Sequence, residues 1–260
     1  MTGLHLYPVL GMPVVQPGDD IADLVASALR EQGLQLRQGD VVVVAHKIVS
    51  RAEGRLVALE DVEPSPAARS LAAESGKDPR LCELILRESQ AIVRVRPGLV
   101  IARHRLGFVC ANAGIDRSNA GGEGETVLLL PQDPDESARR LRYDLYRKTG
   151  VAPAVIIADS HGRPFREGAV GVCIGIAGMG PVLSEVGRQD LFGYTLRSTL
   201  EAVADELASA ATLVMGQADE GIPAVVVRGF FDARQAIQIA GEAEATAARL
   251  VRPADRDLFS

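Results

Sequence analysis

Two short stretches of the chain combine acidic and small polar side chains with almost no bulky residue around them. In the first, VCANAGIDRSNAGGEGET (residues 109–126), Asp116 and Asn119 lie among Gly and Ala after the strand-like residues 107–111. Glycine permits unusual backbone dihedrals, and a carboxylate with a carboxamide three residues later can bind a divalent cation and a hydroxyl or phosphate. The alternative is an Asx turn, in which these side chains bond only their own backbone.

The second stretch, VIIADSHGRPFREG (residues 155–168), is an apolar strand-like run that stops at Asp159 and Ser160. An acid at the carboxyl end of such a strand is a common metal ligand in α/β proteins, although Asp159 could instead cap the following turn HGRP. Two strand ends that each finish in an acid with a small polar neighbour favour a shared role. Asp116 and Asp159 could together hold one or two Mg²⁺ or Mn²⁺ ions and leave positions open for phosphate oxygens.

A third stretch, HKIVSRAEGR, follows the apolar run of residues 41–45, which predicts a strand covered on both faces. That strand would deliver His46, Lys47, Ser50 and Arg51 at its end. Lys47 and Arg51 could then bridge phosphate oxygens as charge-assisted donors. The alternative is an ordinary strand end whose charges are solvated.

A fourth stretch, GQADEGIP, follows an Ala-rich segment with helical character. Gly216 could end that helix, and Gln217 with the succeeding NH groups could contact a base or a phosphate; an ordinary helix cap and loop is the alternative. Common nucleotide motifs are absent, since Gly76–Lys77 does not complete a P-loop and GIAGMG (residues 175–180) has its glycines in the wrong order for a dinucleotide fingerprint. GIAGMG predicts a tight turn or close backbone packing instead.

Hydrophobic periodicity predicts the elements that must position these stretches. Helices are expected over residues 21–32 (capped by Asp19 or Asp20), 66–89 with an interruption at 76–79, 134–150, 189–215 as one helix or two, and 237–250. Strands are expected over residues 41–45, 92–96, 99–103, 107–111, 126–130, 154–158, 168–176 and 224–228. The mixture lacks a regular βαβ repeat, so we predict an α/β or α+β fold with several antiparallel pairs rather than a doubly wound sheet.

The composition excludes several classes of function. The 260 residues carry a formal net charge of -6, contain no Trp and are 4% aromatic, which argues against nucleic-acid binding. No apolar run approaches the roughly 20 residues of a membrane helix, and the N-terminal residues lack the pattern of a signal peptide. Cys82, Cys110 and Cys173 form no CxxC pair and predict reduced thiols. We therefore expect a soluble, cytoplasmic protein of one large domain or two modest ones.

Taken together in chain order, the quoted motifs resemble a known family. They are LGMP (residues 10–13), KIVSRAEGR (47–55), GIDRSNA (114–120), IIADSHGRPFREG (156–168), DLFGYTLRSTLEAVADELASAATLVMGQADEGIP (190–223) and VVVRGF (225–230). The chain resembles the coenzyme F-420-0:L-glutamate ligase family, also called gamma-glutamyl ligase, over nearly its full length.

The resemblance implies an α+β fold with mixed sheets and two intertwined subdomains, unrelated to P-loop and Rossmann proteins. It implies a homodimeric enzyme that uses GTP and Mg²⁺ or Mn²⁺, in two sites, with K⁺ as a further candidate cation. The substrates would be L-glutamate and the deazaflavin F-420-0, joined through an acyl phosphate because a carboxylate and an amine need activation to form an amide. Residues 1–260 would be a single ligase domain without the C-terminal flavin-reductase-like domain of some relatives.

Carried over by motif, Asp116, Asp159 and Ser160 would hold the metal ions, and Arg51 would join the two acids in catalysis. The GTP site would be lined by Leu10, Gly11, Met12, Pro13, His46, Lys47, Arg51, Asn119, Gly216, Gln217, Ala218, Asp219, Glu220, Gly221, Ile222 and Pro223. The chain departs from the family pattern at His46–Lys47, where some members have small hydroxyl residues, and at Arg51, where Lys is frequent.

Two alternatives to this activity stay open at the level of sequence. One is a metal-dependent ligase on the same scaffold for another amino acid or acceptor acid, and the other is a non-catalytic protein that binds a nucleotide or deazaflavin. The general base for the glutamate amine is also open, since Glu53 and Glu123 are both candidates.

Overall fold

The computed structural model describes residues 3–118, 125–233 and 245–257 as a mixture of helices and strands. In chain order the strands are β1 (His5–Pro8), β2 (Val41–Ala45), β3 (Leu56–Ala58), β4 (Ser89–Arg96), β5 (Leu99–His104), β6 (Val109–Ala111), β7 (Thr126–Leu128), β8 (Ala154–Arg163), β9 (Arg166–Ala177), β10 (Leu183–Ser184), β11 (Leu200–Glu201) and β12 (Ala224–Arg228). The helices are α1 (Ile21–Glu31), α2 (His46–Ala52), α3 (Pro66–Ser75), α4 (Pro79–Arg87), α5 (Pro134–Thr149), α6 (Val203–Met215) and α7 (Phe230–Ala233). Among these described residues no helix is both long and apolar enough to cross a membrane.

A five-stranded mixed sheet in the order β1-β12-β2-β8-β9 forms the centre of the fold. Its β2–β8 pair is parallel, and its other pairs are antiparallel. Because successive side chains of a strand point to opposite faces, Val42 and Val44 of β2 pack with α1 and α5, whereas Val41 and Val43 pack with α6. The predicted α+β class is confirmed, and the arrangement is not a doubly wound sheet.

A further hydrophobic core lies outside the central sheet, apart from the two clusters on the faces of that sheet. It is formed by α3 and α4 together with the antiparallel sheet β4-β5-β6 and the pair β3-β7. Leu59, Ile85, Val100 and Val127 are fully buried in it. A core that is separate from the central sheet is compatible with the expected subdomains, which remain a prediction.

Glu88 links α4 to the chain that leads into α5. Its carboxylate accepts from Arg55 at 2.9 Å and from Arg105 at 3.0 Å, and Arg55 also donates to the carbonyl of Leu130. Burial alone would raise the pKa of Glu88, but its interactions with His104, Arg105 and Arg55 outweigh burial and lower that pKa to about 2.

Several boundaries match the sequence prediction for identifiable physical reasons. Asp20 caps α1 by accepting from the backbone of Asp23 at 2.9 Å, and the predicted break near residues 76–79 separates α3 from α4. In GIAGMG, a Cβ on Gly175 would lie 2.4 Å from the carbonyl oxygen of Pro134 in α5. The predicted role of this motif in close backbone packing is therefore confirmed.

The predicted helix over residues 189–215 is wrong in its first half. Only Val203–Met215 is helical, and the preceding residues form a loop closed by the β10–β11 pair. Gly193 has a φ of 83°, which lies outside the range of a right-handed α-helix. Leu191 and Phe192 are exposed and do not pack on a core. The helical spacing of the apolar residues was misleading here, because these side chains do not pack against the rest of the protein.

Two further elements differ from their predicted bounds. The strand expected to stop at Asp159 continues to Arg163, because β9 pairs with it along that whole length. Of the helix expected over residues 237–250, residues 237–244 lie outside the described part of the chain, and Ala247–Leu250 form a single 3₁₀ turn.

Candidate active site

The parallel pair β2–β8 determines where the site lies. Ala45 at the end of β2 pairs with Ala158 of β8, so the next residues, His46 and Asp159, emerge side by side. Parallel strands present their carboxyl ends at one edge of the sheet, where α/β proteins commonly bind ligands. The chain turns into α2 directly after Ala45, and His46 is the first residue of that helix.

His46 lies between two carboxylates. Its Nε2 is 3.1 Å from Oδ2 of Asp116 and 3.2 Å from Oδ1 of Asp159. Asp116 is held there by an antiparallel bridge to Leu128, with two backbone hydrogen bonds of 2.9 and 2.8 Å. Its side chain therefore contacts a residue 70 positions away in the sequence, which differs from the Asx turn considered as the alternative.

A second layer of contacts fixes these three side chains. His161 Nε2 lies 2.9 Å from Oδ2 of Asp159, and the backbone NH of Ser160 donates to Oδ1 of Asp159 at 2.6 Å. The ring of His161 packs at 5.0 Å from that of Phe108. On the other side, Nδ1 of His46 is 3.4 Å from the buried hydroxyl of Ser50, one helical turn later. The orientation of both rings is thus determined by the fold.

The buried charges strongly favour one protonation state. Burial alone would lower the pKa of His46, but the charges of Asp159 and Asp116 and their hydrogen bonds raise it to about 9. Burial alone would raise the pKa of Asp159, whereas the charges of His46 and His161 hold that pKa well below its usual range. Asp159 is therefore ionised at neutral pH, as a metal ligand must be.

An open cleft of about 700 Å³ lies over this cluster. Its described wall consists of Met12, Pro13, Val14, Val15, Ala45, His46, Lys47, Ile48, Arg51, Asp116, Ser118, Ala158, Asp159, Ser160, Ala169, Thr212, Met215, Gly216, Gln217, Ala218, Asp219, Glu220, Gly221, Ile222 and Pro223. Most residues predicted for the nucleotide site thus share one cavity with those predicted for the metal. Leu10 and Gly11 precede this wall and do not belong to it, and Asn119 lies outside the described residues.

The two predicted cations play different parts in the cleft. The Lys47 ammonium lies 3.0 Å from the Ser118 hydroxyl and 3.4 Å from Oδ2 of Asp116, so it stands beside the acidic cluster. Arg51 donates from Nε to the carbonyl of Val15 at 2.9 Å and thereby ties α2 to the loop that forms one wall.

The segment after α6 closes the opposite wall. Gly216 ends the helix with a φ of 73°, as predicted, and the side chain of Glu220 accepts from the backbone NH of Ala218 at 2.8 Å. Gln217 donates to the Ser160 hydroxyl at 3.0 Å, which connects this segment to β8.

The donor set fits a divalent ion. His46, Asp116 and Asp159 each offer one ligand atom, and these atoms lie within 4.8 Å of one another. Carboxylate oxygens are the ligands that Mg²⁺ and Mn²⁺ prefer. The two carboxylates keep His46 protonated, and an ion bound between them would displace that proton. The residues predicted to hold the metal are thus brought together, except that the Ser160 hydroxyl faces Gln217.

Sequence reasoning missed two contacts that a correct secondary structure would have indicated. Asp159 and His161 are two apart on a continuous strand, so they point to the same face. His46 and Ser50 are four apart on a helix, so they are neighbours on its surface. Both pairs were hidden because β8 was expected to end before Asp159 and no helix was predicted after β2.

The fold and the site define a mixed α+β protein outside the P-loop and Rossmann classes, with a histidine–carboxylate cluster in an open cleft. A model of the family F420-0:Gamma-glutamyl ligase matches residues 10–229. The chain is 54% identical to the Coenzyme F420:L-glutamate ligase of Methanothermobacter thermautotrophicus over 228 residues, which are 88% of this chain and 90% of that protein. It is 48% identical to the protein of that name from Methanopyrus kandleri (98% and 97% covered) and 43% identical to the one from Archaeoglobus fulgidus (92% and 90% covered). The chain belongs to the F420-0:Gamma-glutamyl ligase family.

Proposed function

We propose that this chain is a ligase that uses GTP to join L-glutamate to the side-chain carboxylate of the deazaflavin F420-0. The names of its family and relatives support the two substrates. The observation that carries the proposal is the convergence of His46, Asp116, Asp159 and Lys47 on one open cleft. Its volume of about 700 Å³ falls within the roughly 300–1,000 Å³ typical of small-molecule sites.

The first step in this proposal activates the acceptor carboxylate. A carboxylate oxygen attacks the γ-phosphorus of GTP, the bond to the bridging oxygen of GDP breaks, and an acyl phosphate forms. Phosphoryl transfer depends mainly on positioning and charge neutralisation. A bound divalent ion would supply positive charge to the phosphates. Asp116 and Asp159 would hold it, and Lys47 would add a cation beside them.

In the second step the amine of L-glutamate attacks the acyl carbon. The bond from that carbon to the phosphate oxygen breaks, phosphate leaves, and the nitrogen loses a proton as the amide forms. Glu53, one candidate base, accepts instead from Ser137 and from Arg140 at 3.0 Å, both on α5, and does not belong to the described wall of the cleft. Glu123, the other candidate, lies outside the described residues.

The decisive experiment measures GDP release by the purified protein with GTP, Mn²⁺ or Mg²⁺ and L-glutamate, with and without F420-0. We expect GDP release that depends on the deazaflavin, together with a product heavier by one or more glutamyl units. The same mass spectrum gives the number of glutamates added. GTP or deazaflavin binding without any turnover would favour a binding protein, and turnover with another acid would indicate a different acceptor.

We also propose that the enzyme is a homodimer formed through the loop between β10 and β11. Leu191 and Phe192 at its tip are 98% and 95% exposed, and Leu200 is also exposed, a grouping of apolar side chains that is unusual on a monomer. Light scattering after size exclusion should give a dimer for the wild type and a monomer for the double variant Leu191→Ser, Phe192→Ser with unchanged circular dichroism. A monomeric wild type would refute this.

A cytoplasmic location completes the proposal. Cys82, Cys110 and Cys173 are free and buried, as is usual for proteins of a reducing compartment. Fractionation of cells that express the protein should recover it with soluble cytoplasmic markers, and recovery with the membrane pellet would contradict the proposal.

A further inference from the structure

We infer that His46 is itself a ligand of the divalent ion, so that the site has mixed nitrogen and oxygen donors and prefers Mn²⁺ over Mg²⁺. The inference rests on the metal site of the proposed function and adds to it a ligand and a metal preference. The family resemblance assigns His46 to the nucleotide instead, at a position where some members have small hydroxyl residues. The geometry of this chain supports a different role.

The distances around Nε2 of His46 match those of a coordination sphere. An octahedral ion with bonds of about 2.1 Å has neighbouring ligands about 3 Å apart. Nε2 lies 3.1 Å from Oδ2 of Asp116 and 3.2 Å from Oδ1 of Asp159. The three ligand atoms all lie within 4.8 Å of one another, so one ion could contact all of them.

The other nitrogen of the ring has the partner expected for a metal-bound histidine. A ligating imidazole usually donates its second NH to a nearby acceptor, which fixes its tautomer and orientation. Nδ1 of His46 faces the Ser50 hydroxyl at 3.4 Å, and both residues are buried, with His46 only 1% exposed. A ring held in this way presents Nε2 toward the two carboxylates and the cleft.

The competing role for His46 is a hydrogen-bonding one, in which it only orients the two acids. Those acids already have other donors, since Lys47 is 3.4 Å from Asp116 and His161 is 2.9 Å from Asp159. A ligating imidazole has a consequence that an orienting one lacks. Nitrogen donors favour Mn²⁺ and later transition metals over Mg²⁺, which prefers oxygen and water.

Pulsed EPR of the purified protein loaded with Mn²⁺ tests this directly. Electron spin echo envelope modulation should show the ¹⁴N coupling of a directly bound imidazole in the wild type, and ¹⁵N-histidine labelling should shift it. The signal should persist in His161→Gln, which changes the neighbouring ring, and disappear in His46→Ser. In equilibrium titrations His46→Ser should lose at least about tenfold in Mn²⁺ affinity and clearly less in Mg²⁺ affinity.

The outcomes separate this inference from the proposed function. Mn²⁺ bound without any directly coordinated nitrogen overturns the inference, and the wild-type spectrum alone decides this even if His46→Ser does not fold. If that protein still ligates glutamate, the proposed function stands. A directly bound imidazole in a protein without ligase turnover would support the inference and refute the function. Absence of Mn²⁺ binding would overturn the inference and the metal part of the function together.

Discussion

Replacing His161 by Leu should weaken the binding of the divalent ion while leaving the fold intact. His161 is only 12% exposed at its side chain and lies on β8, two residues after Asp159. Its Nε2 is 2.9 Å from Oδ2 of Asp159, the oxygen on the side opposite to that bonded by the NH of Ser160. Leucine has a similar volume and can pack against Phe108, but it cannot donate a hydrogen bond.

The size of the effect follows from the contact that is removed. Without His161, Oδ2 of Asp159 loses its donor, while Oδ1 keeps the Ser160 NH and the contact with His46. Loss of a partner that orients a metal ligand typically costs about 10- to 100-fold in affinity, which is about 1.4–2.7 kcal/mol. We expect this loss in Mn²⁺ titrations of His161→Leu and a partial recovery in His161→Gln, whose amide can donate.

Kinetics distinguish a positioning role from general damage to the protein. At saturating Mn²⁺ the kcat of His161→Leu should approach the wild-type value, whereas the Mn²⁺ concentration for half-maximal rate should rise. His5→Leu, on the edge strand β1 and outside the described wall of the cleft, should change neither quantity. Equal Mn²⁺ affinities of wild type and His161→Leu would refute the reasoning.

Three further predictions test the site and the fold. Asp116→Asn and Asp159→Asn should each lower turnover at least about a hundredfold in the GDP-release assay, because each removes a charge that holds the ion; near-wild-type rates would remove the metal assignment. Glu88→Gln should lower the free energy of unfolding, measured with urea at pH 7, by about 2–3 kcal/mol, because the pKa of Glu88 is about 2 in the folded state and lies below its unfolded value. The difference in unfolding free energy between wild type and variant should shrink as pH falls from about 4.5 to 2. A difference that does not change with pH would contradict this prediction. Gly175→Ala should lower the unfolding free energy by about 2 kcal/mol, because its Cβ would lie 2.4 Å from a carbonyl oxygen of Pro134; an unchanged melting temperature would show that α5 can move away.

The parts of the fold that sequence predicted well are those where one physical signal dominates. The run Val41–Val44 is fully buried, and a strand covered on both faces has no polar positions, so its pattern was unambiguous. The α1 helix combined an apolar stripe with the cap at Asp20. By contrast, the loop that carries Leu191 and Phe192 has helical apolar spacing without a surface to pack on, and only the tertiary structure reveals that absence.

The site shows why types of residue were predicted better than their arrangement. Asp116 and Asp159 were identifiable as acids beside strands, but their meeting depends on the parallel β2–β8 pair and on the Leu128 bridge, which are long-range contacts. His46 was expected at a strand end among phosphate ligands. Its role changed once α2 began at that residue, because a helix starting there turns the imidazole into the space between the two acids. The end of β2 at Ala45 was predicted correctly, and only the helix that begins at the next residue was missed. The nitrogen coupling of bound Mn²⁺ is the observable that distinguishes a nucleotide contact from the metal ligand that we infer.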